Sequence, residues 1–315
     1  MQRGERVRGG VYGLLVGDAL GVPYEFHPAR AIPPLPEIEM TPPPGFRRAH
    51  ATVPPGTWSD DGAQALVLLE SLLRMGRLDV TDLADGLLHW RDEGRYAVDG
   101  RVFDIGIQTT TALDRFRRGT PADRAGSTES TGNGNGSLMR VLPLALWHRG
   151  SGAELAADAM AQSLPTHGHV RSHACCALYC LWARRICDGM PPGSAWGDAR
   201  HTFEVLYPLG HPAREEVEAH VFPRGAVYRI RGGGYVVESL RAAVHLCAHD
   251  VPLDYERIVK AAIALGDDTD TTACIAGGIA GLAVGEGGIP DRWRRALRGH
   301  DLVEPLLDAL VAGQA

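Results

Sequence analysis

The chain has 315 residues, of which 44% are apolar and 22% charged, and a formal net charge of −6. That length allows one large domain or two with a well-buried core, and the composition is that of an ordinary soluble globular protein. The negative balance argues against a broad nucleic-acid surface, no apolar run is long enough to span a membrane, and the first residues lack the apolar core of a signal sequence, so a cytoplasmic monomer without a nucleic-acid partner is expected.

Val7 to Gly21 reads as a helix rich in small residues and ends in Gly17-Asp18-Ala19-Leu20-Gly21, with Glu25 following. Val22 to Thr57 holds about half of the prolines, so it is expected to be irregular, and a loop of that length in a compact protein is usually functional. It delivers the chain to Trp58-Ser59-Asp60-Asp61, a hydroxyl beside two acids. Helical periodicity then dominates over Asp61–Met75, Thr81–Arg91 and Asp104–Arg118. The stretch Ser127–Gly136 is polar and glycine-rich, and its glycines would let backbone amides approach an anion before a helix start at Ser137-Leu138-Met139-Arg140. It matches neither the P-loop nor the dinucleotide fingerprint.

Ser151 and Glu154 fit a capping box ahead of Leu155–Leu164. Thr166-His167-Gly168-His169 precedes a long helix over Val170–Cys187 that carries four of the six cysteines. None of the cysteines has the paired spacing of a structural zinc site, so reduced buried thiols are expected. Tyr228–Val237, with Gly232-Gly233-Gly234-Tyr235, is the one segment expected to be irregular or extended. Helices follow over Glu238–Ala248 and Tyr255–Leu265. Then comes Gly266-Asp267-Asp268-Thr269-Asp270-Thr271-Thr272, with three carboxylates and three hydroxyls in seven residues. Ala273–Gly285 is a small-residue helix suited to close packing, and Pro290–Arg298 and Leu302–Val311 finish the chain. Strand-like alternation is nearly absent, which makes the fold all-α, and no linker divides residues 1–315 into separate domains.

The two acidic clusters carry the chemistry. Each can be read as a helix N-terminus, with a hydroxyl cap and acids complementing the macrodipole. Yet unpaired carboxylates amid apolar sequence cost several kcal/mol or more, so a cation is expected beside them. Carboxylate and hydroxyl oxygens suit a hard divalent ion, and two clusters that meet in the fold could share a two-metal site.

Five stretches together resemble the ADP-ribosylglycohydrolases. They are Gly17–Gly21 with Glu25, Trp58-Ser59-Asp60-Asp61, Phe103-Asp104-Ile105-Gly106, Gly134-Asn135-Gly136-Ser137-Leu138-Met139-Arg140 and Gly266–Thr271. The resemblance runs nearly end to end. It implies an all-helical fold with two Mg2+ or Mn2+ ions at the bottom of a cleft, held by Ser59, Asp60 and Asp61 from one side and Asp268, Asp270 and Thr271 from the other. It further implies that the loop of Gly134, Asn135, Gly136 and Ser137, with His167, holds the diphosphate and distal ribose, and that Tyr235 stacks on adenine. Three positions depart from the family pattern: Ser59 replaces threonine, Asp267 replaces glycine, and Gly62 stands where threonine is usual.

The activity so implied is hydrolysis at the anomeric C1″ of an ADP-ribose derivative, through a transition state with oxocarbenium character. The carboxylates of Asp60 and Asp268 would stabilise that charge, while Glu25 and Asp104 are the candidates for proton transfer. The plain alternatives are a surface-loop carboxylate for Glu25 and a helix N-cap for Asp104. The leaving group could be a modified protein side chain, an acetyl group or a phosphate, the last making the protein an ADP-ribose 1″-phosphate phosphatase. A non-catalytic ADP-ribose-binding module and a purely structural helical protein are the readings from other classes.

Overall fold

The computed structural model describes residues 1–223 and 225–313. Among these residues there are fourteen α-helices and only isolated β-bridges, in agreement with the all-α expectation. In chain order they are α1 (Arg3–Gly21), α2 (Asp60–Met75), α3 (Val80–Glu93), α4 (Ile107–Arg117), α5 (Leu142–Trp147), α6 (Gly152–Ala161) and α7 (Val170–Cys187). The second half contributes α8 (Pro192–Leu206), α9 (Pro212–Glu216), α10 (Val236–Cys247), α11 (Tyr255–Ile263), α12 (Thr269–Val284), α13 (Asp291–Ala296) and α14 (His300–Ala312). The buried apolar side chains form one continuous cluster to which nearly all of these helices contribute.

Local chemistry sets the ends. Ser59 caps α2 by accepting from the Asp61 amide, and Gly76 stops that helix in the left-handed region at φ 65°. The capping box of Ser151 and Glu154 starts α6 as its sequence requires. Two expectations fail. Asp104 is not the cap of α4, which begins after Gly106; Asp104 lies upstream in left-handed backbone at φ 58°. Ser137–Arg140 forms turns rather than a helix start, since Pro143 sets the first turn of α5, which begins at Leu142.

The centre of the molecule is the antiparallel pair α1 and α12. Gly9, Gly13 and Gly17 of α1 face Gly281, Gly277 and Ala273 of α12 so closely that a Cβ at each α1 position would lie under 3.0 Å from the backbone opposite. The two backbones therefore touch, and two tyrosine hydroxyls bond into the pair, Tyr255 to the Gly13 carbonyl (2.7 Å) and Tyr179 to the Ile275 carbonyl (2.9 Å). This contact sets the last turn of α1, with Asp18, beside the first turn of α12, with Asp270. All six cysteines are free and buried.

The proline-rich segment between α1 and α2 contains three short 3-10 turns and is otherwise irregular, as expected. Its start is stitched to the second acidic segment. The Phe26 amide donates to the Asp267 carbonyl, and the Asp267 amide donates to the His27 carbonyl, each at 2.7 Å.

Candidate active site

Asp18 joins the helices at the site. It is fully buried and accepts from the amides of Ser59 (2.9 Å) and Gly62 (2.8 Å) at the head of α2. Gly62 is tightly enclosed: a Cβ there would come within 2.8 Å of Leu15 and Trp58, so this departure from the family pattern is matched by local packing. The next carboxylate, Asp61, receives the Ser59 hydroxyl at 3.0 Å and the Thr271 hydroxyl at 3.2 Å on its Oδ2. The two acidic clusters, some 200 residues apart in sequence, thus touch directly, as expected.

Two oxygens in this buried cluster have no hydrogen-bond partner among the described residues: Asp61 Oδ1 and Asp270 Oδ2. Asp18, Asp61 and Asp270 can bring one oxygen each within 4.8 Å of one another, and so can Glu25, Asp268 and Asp270. The two sets share Asp270. Buried carboxylate oxygens that lack hydrogen-bond donors but lie close together are costly unless protons or a cation neutralise them. The donor set is oxygen only, which fits a hard divalent cation rather than zinc. Asp268 stands at the N-cap of α12 without making a capping bond, so its carboxylate stays available; Asn135 Nδ2 donates to its Oδ2 at 2.7 Å. Asp60 accepts from Gln64 Nε2 at 2.9 Å, and Gln64 Oε1 in turn accepts from the fully buried Arg140 at 3.1 Å.

Glu25 and Asp104 meet at His50. The Glu25 carboxylate lies 2.7 Å from His50 Nε2, which is 4.0 Å from Asp104, and the imidazole packs between Phe26 and Phe103. Glu25 is 4% exposed, which rules out the surface-loop alternative.

Burial and like charge govern titration here. Burial and the nearby Asp104 and Asp268 push the Glu25 carboxyl up to about 10. Burial lifts Asp18 to about 7 and Asp104 to about 6, and it raises Asp60, Asp61 and Asp270 as well. Unfolded carboxyls titrate near 4, so without a cation the folded protein retains protons that the unfolded chain releases. That stability is complete below about pH 4 and is lost as pH rises through the raised values. Between pH 7 and 8, above the titration of unfolded histidine and below that of unfolded cysteine, each retained proton contributes about 1.4 kcal/mol per pH unit. In EDTA the melting temperature is therefore expected to fall from pH 7 to 8. In saturating Mg2+ or Mn2+ the fall should vanish or reverse, because cations displace those protons. A flat EDTA profile measured by calorimetry would refute this account.

Above the acids opens a cleft of about 300 Å3, into which Glu25, Asp60, Asp104, Asp268 and Thr271 face. Its opposite wall includes Gly134, Asn135, Gly136 and His167. The imidazole of His167 packs against both glycines, where a Cβ would come within 3.3 Å of it at Gly134 and within 2.9 Å at Gly136. Burial holds His167 neutral, its pKa lowered to about 3, and its Nδ1 meets the Thr166 hydroxyl at 2.8 Å. The glycine loop is not an open anion cradle. The Gly134 amide donates to Gln108 (2.8 Å) and the Asn135 amide to the Gly234 carbonyl (3.1 Å).

Two of the residues expected to contact substrate do not line the cleft. Ser137 is fully buried behind it, accepting from the Ser163 hydroxyl at 2.8 Å, because the turn after Gly136 directs it into the core. Tyr235 is held away by Arg171, whose guanidinium donates to its hydroxyl at 3.0 Å and lies 6.0 Å from its ring. Asp267 is exposed on the far side of the segment and adds no charge to the cleft. The sequence reading missed Asp18, His50, Gln64 and Gln108. A buried aspartate among small helical residues was a signal for Asp18; His50 and the glutamines had none, since only tertiary contact brings them to the site.

A family model for the ADP-ribosylglycohydrolases matches residues 1–315. The ADP-ribosylarginine hydrolase Tri1 of Serratia proteamaculans is 30% identical over 306 residues, covering 97% of this chain and 79% of that protein. The ADP-ribosyl-dinitrogen reductase glycohydrolase of Rhodospirillum rubrum is 28% identical over 295 residues, covering 92% of this chain and 89% of that one. A solved structure described as an ADP-ribosylglycohydrolase-related protein complex superposes with a TM-score of 0.78 at 32% identity, over 100% of this chain and 99% of that one. No helix among the described residues is long and apolar enough to cross a membrane. Because the family match leaves no part of the sequence unaccounted for, this chain belongs to the ADP-ribosylglycohydrolase family of hydrolases.

Proposed function

We propose that the protein hydrolyses the bond at the anomeric C1″ of the distal ribose in an ADP-ribose adduct, with two Mg2+ or Mn2+ ions held by Ser59, Asp60, Asp61, Asp268, Asp270 and Thr271. The observation that carries this reading is the pair of unpartnered oxygens, Asp61 Oδ1 and Asp270 Oδ2, beneath a cleft of about 300 Å3. Asp18 belongs to the same oxygen set as these two. Bound divalent ions would supply Lewis-acid polarisation of oxygens and make water more acidic.

The chain's own groups do the rest. Carboxylates beneath the cleft favour the positive charge that develops at the anomeric centre. Glu25 and Asp104, which face the cleft beside His50, are placed to pass a proton to the leaving group and to take one from water. Asn135 orients Asp268, while neutral His167 can hydrogen-bond a substrate oxygen without adding charge. His50 fixes Glu25 from behind. His50→Ala is therefore expected to lower kcat by about 10- to 100-fold with KM little changed, and His50→Gln, which keeps a hydrogen-bonding group, to recover part of the loss. Equal loss in both variants would remove His50 from this positioning role.

The test is ADP-ribose release, followed by mass spectrometry, from arginine-linked, serine-linked, acetylated and 1″-phosphorylated ADP-ribose. The name of the Serratia relative puts the arginine linkage first. Cation-dependent release that Asp268→Asn abolishes is the expected result. Binding of ADP-ribose with no release from any substrate would instead favour the non-catalytic binding module.

A further inference from the structure

A second cleft, of about 480 Å3, adjoins the first. It is lined by residues 28–30 and 229–231 together with Ala264, Leu265 and Asp267. One stretch of backbone separates the two clefts: Asp268 lines the first and Asp267 the second. That partition is stiffened by the Asp268 amide donating to the Gly232 carbonyl and the Asp267 amide to the His27 carbonyl, both at 2.7 Å.

The second cleft is basic in a chain whose net charge is −6. Arg30, Arg229 and Arg231 all line it, and all three are exposed. Arg231 has a carboxylate, Glu238, only at 4.0 Å, with its side chain 63% exposed. Neither Arg30 nor Arg229 makes an ion pair among the described residues, and the carboxylate lining the cleft is Asp267. Three arginines lining one concavity, two of them without an ion pair among the described residues and the third 4.0 Å from its carboxylate, favour a multiply anionic partner.

Exposed apolar side chains mark the same face. Phe26 is 68% exposed and Ile107 is 85% exposed. Phe26 is bonded through its amide to Asp267, between the clefts, and Ile107 lines the first. Large apolar side chains left in water beside a polar cleft are characteristic of a surface that meets a macromolecule. A free nucleotide derivative in the first cleft would leave Phe26 uncovered.

We propose that the second cleft docks the polypeptide that carries the ADP-ribosyl group, and that this polypeptide is acidic beside its modified residue. The inference rests on the hydrolase reading above and narrows its substrate class to proteins. With the sugar held in the first cleft, the chain next to it crosses the Asp267–Asp268 partition, and its carboxylates meet Arg30, Arg229 and Arg231.

Two measurements on the full chain test it. In the first, fluorescence anisotropy follows a labelled octaglutamate peptide in EDTA, which needs no catalysis. The wild type is expected to bind it, and the triple variant Arg30→Glu, Arg229→Glu, Arg231→Glu to bind about tenfold or more weakly, an effect that shrinks with added salt. Asp267→Asn, whose side chain tolerates left-handed backbone, should bind more tightly and serves as a second variant should the triple variant melt early. In the second measurement, the triple variant should lose about tenfold in kcat/KM, through KM, on an ADP-ribosylated peptide with glutamate flanks, and nothing on free ADP-ribosylarginine.

Wild-type and triple variant binding octaglutamate alike, or octathymidylate binding more tightly than octaglutamate, would overturn the proposal. So would equal losses on the peptide and on free ADP-ribosylarginine. If no adduct is hydrolysed while octaglutamate binding still depends on the arginines, the hydrolase reading fails and the docking surface stands.

Discussion

Asp270→Asn is expected to lower turnover by about three orders of magnitude and, in EDTA, to raise the melting temperature. Asp270 is fully buried, its Oδ2 has no hydrogen-bond partner, and it belongs to both groups of converging carboxylates. In the absence of a cation it is an unpaired acid among like charges, an arrangement that costs several kcal/mol unless a proton neutralises it. The amide has nearly the same size, carries no charge and can donate to a neighbouring carboxylate. The variant should therefore be more stable than the wild type when both are stripped of metal. The order reverses with ions present: cation at a hundred times its Kd stabilises the wild type by about 2.7 kcal/mol, a rise of about 5 °C, and leaves the variant unmoved. Activity should fall by about three orders of magnitude, as when one electrostatic contact to a transition state is removed. Differential scanning calorimetry with and without Mn2+ decides this. A variant that melts lower than the wild type in EDTA would mean that Asp270 is held by contacts other than a cation.

Much of this was legible in the sequence because local chemistry and function coincide. The hydroxyl and acids at 59–61 start a helix and also include one of the two unpartnered oxygens, Asp61 Oδ1, so one motif reported both. The glycine spacing of the last long apolar helix announced a close-packed partner, which is α1. What stayed hidden depended on contacts between distant segments. His50 lies in a proline-rich loop with no periodicity and acquires its place only when Glu25 and Asp104 reach it. The fully buried Arg140 supports Asp60 through Gln64, a relay that no spacing encodes. Ser137 and Tyr235 do not line the cleft for a related reason. Each is next to a residue that lines the cleft, but one change of direction in the backbone, and for Tyr235 the pull of Arg171, turns the side chain away.

Substituting Gly17 by valine is expected to be among the most destabilising single changes in the protein, and to silence the active site without touching any acid. A Cβ at position 17 would meet the Ala273 carbonyl of α12, a backbone atom that cannot rotate aside, so the helices must separate. Strain of this kind typically costs about 1–3 kcal/mol for added methylenes in a packed core; against rigid backbone the loss should exceed about 4 kcal/mol, at the extreme of single substitutions. The functional consequence follows from position. Asp18 is the next residue on α1, and Asp270 lies one turn before Ala273 on α12, so parting the pair widens the spacing of Asp18, Asp61 and Asp270, which now lie within 4.8 Å. Gly76→Ala is a useful contrast: its left-handed φ of 65° makes it costly, yet a Cβ there meets nothing within 4 Å and the position is remote from the acids. Both variants should melt earlier than the wild type, but only Gly17→Val should also lose the Mn2+-dependent rise in melting temperature. Retention of that rise in Gly17→Val would show that the acids keep their spacing without the close α1–α12 contact, and that the glycine stripe serves stability alone.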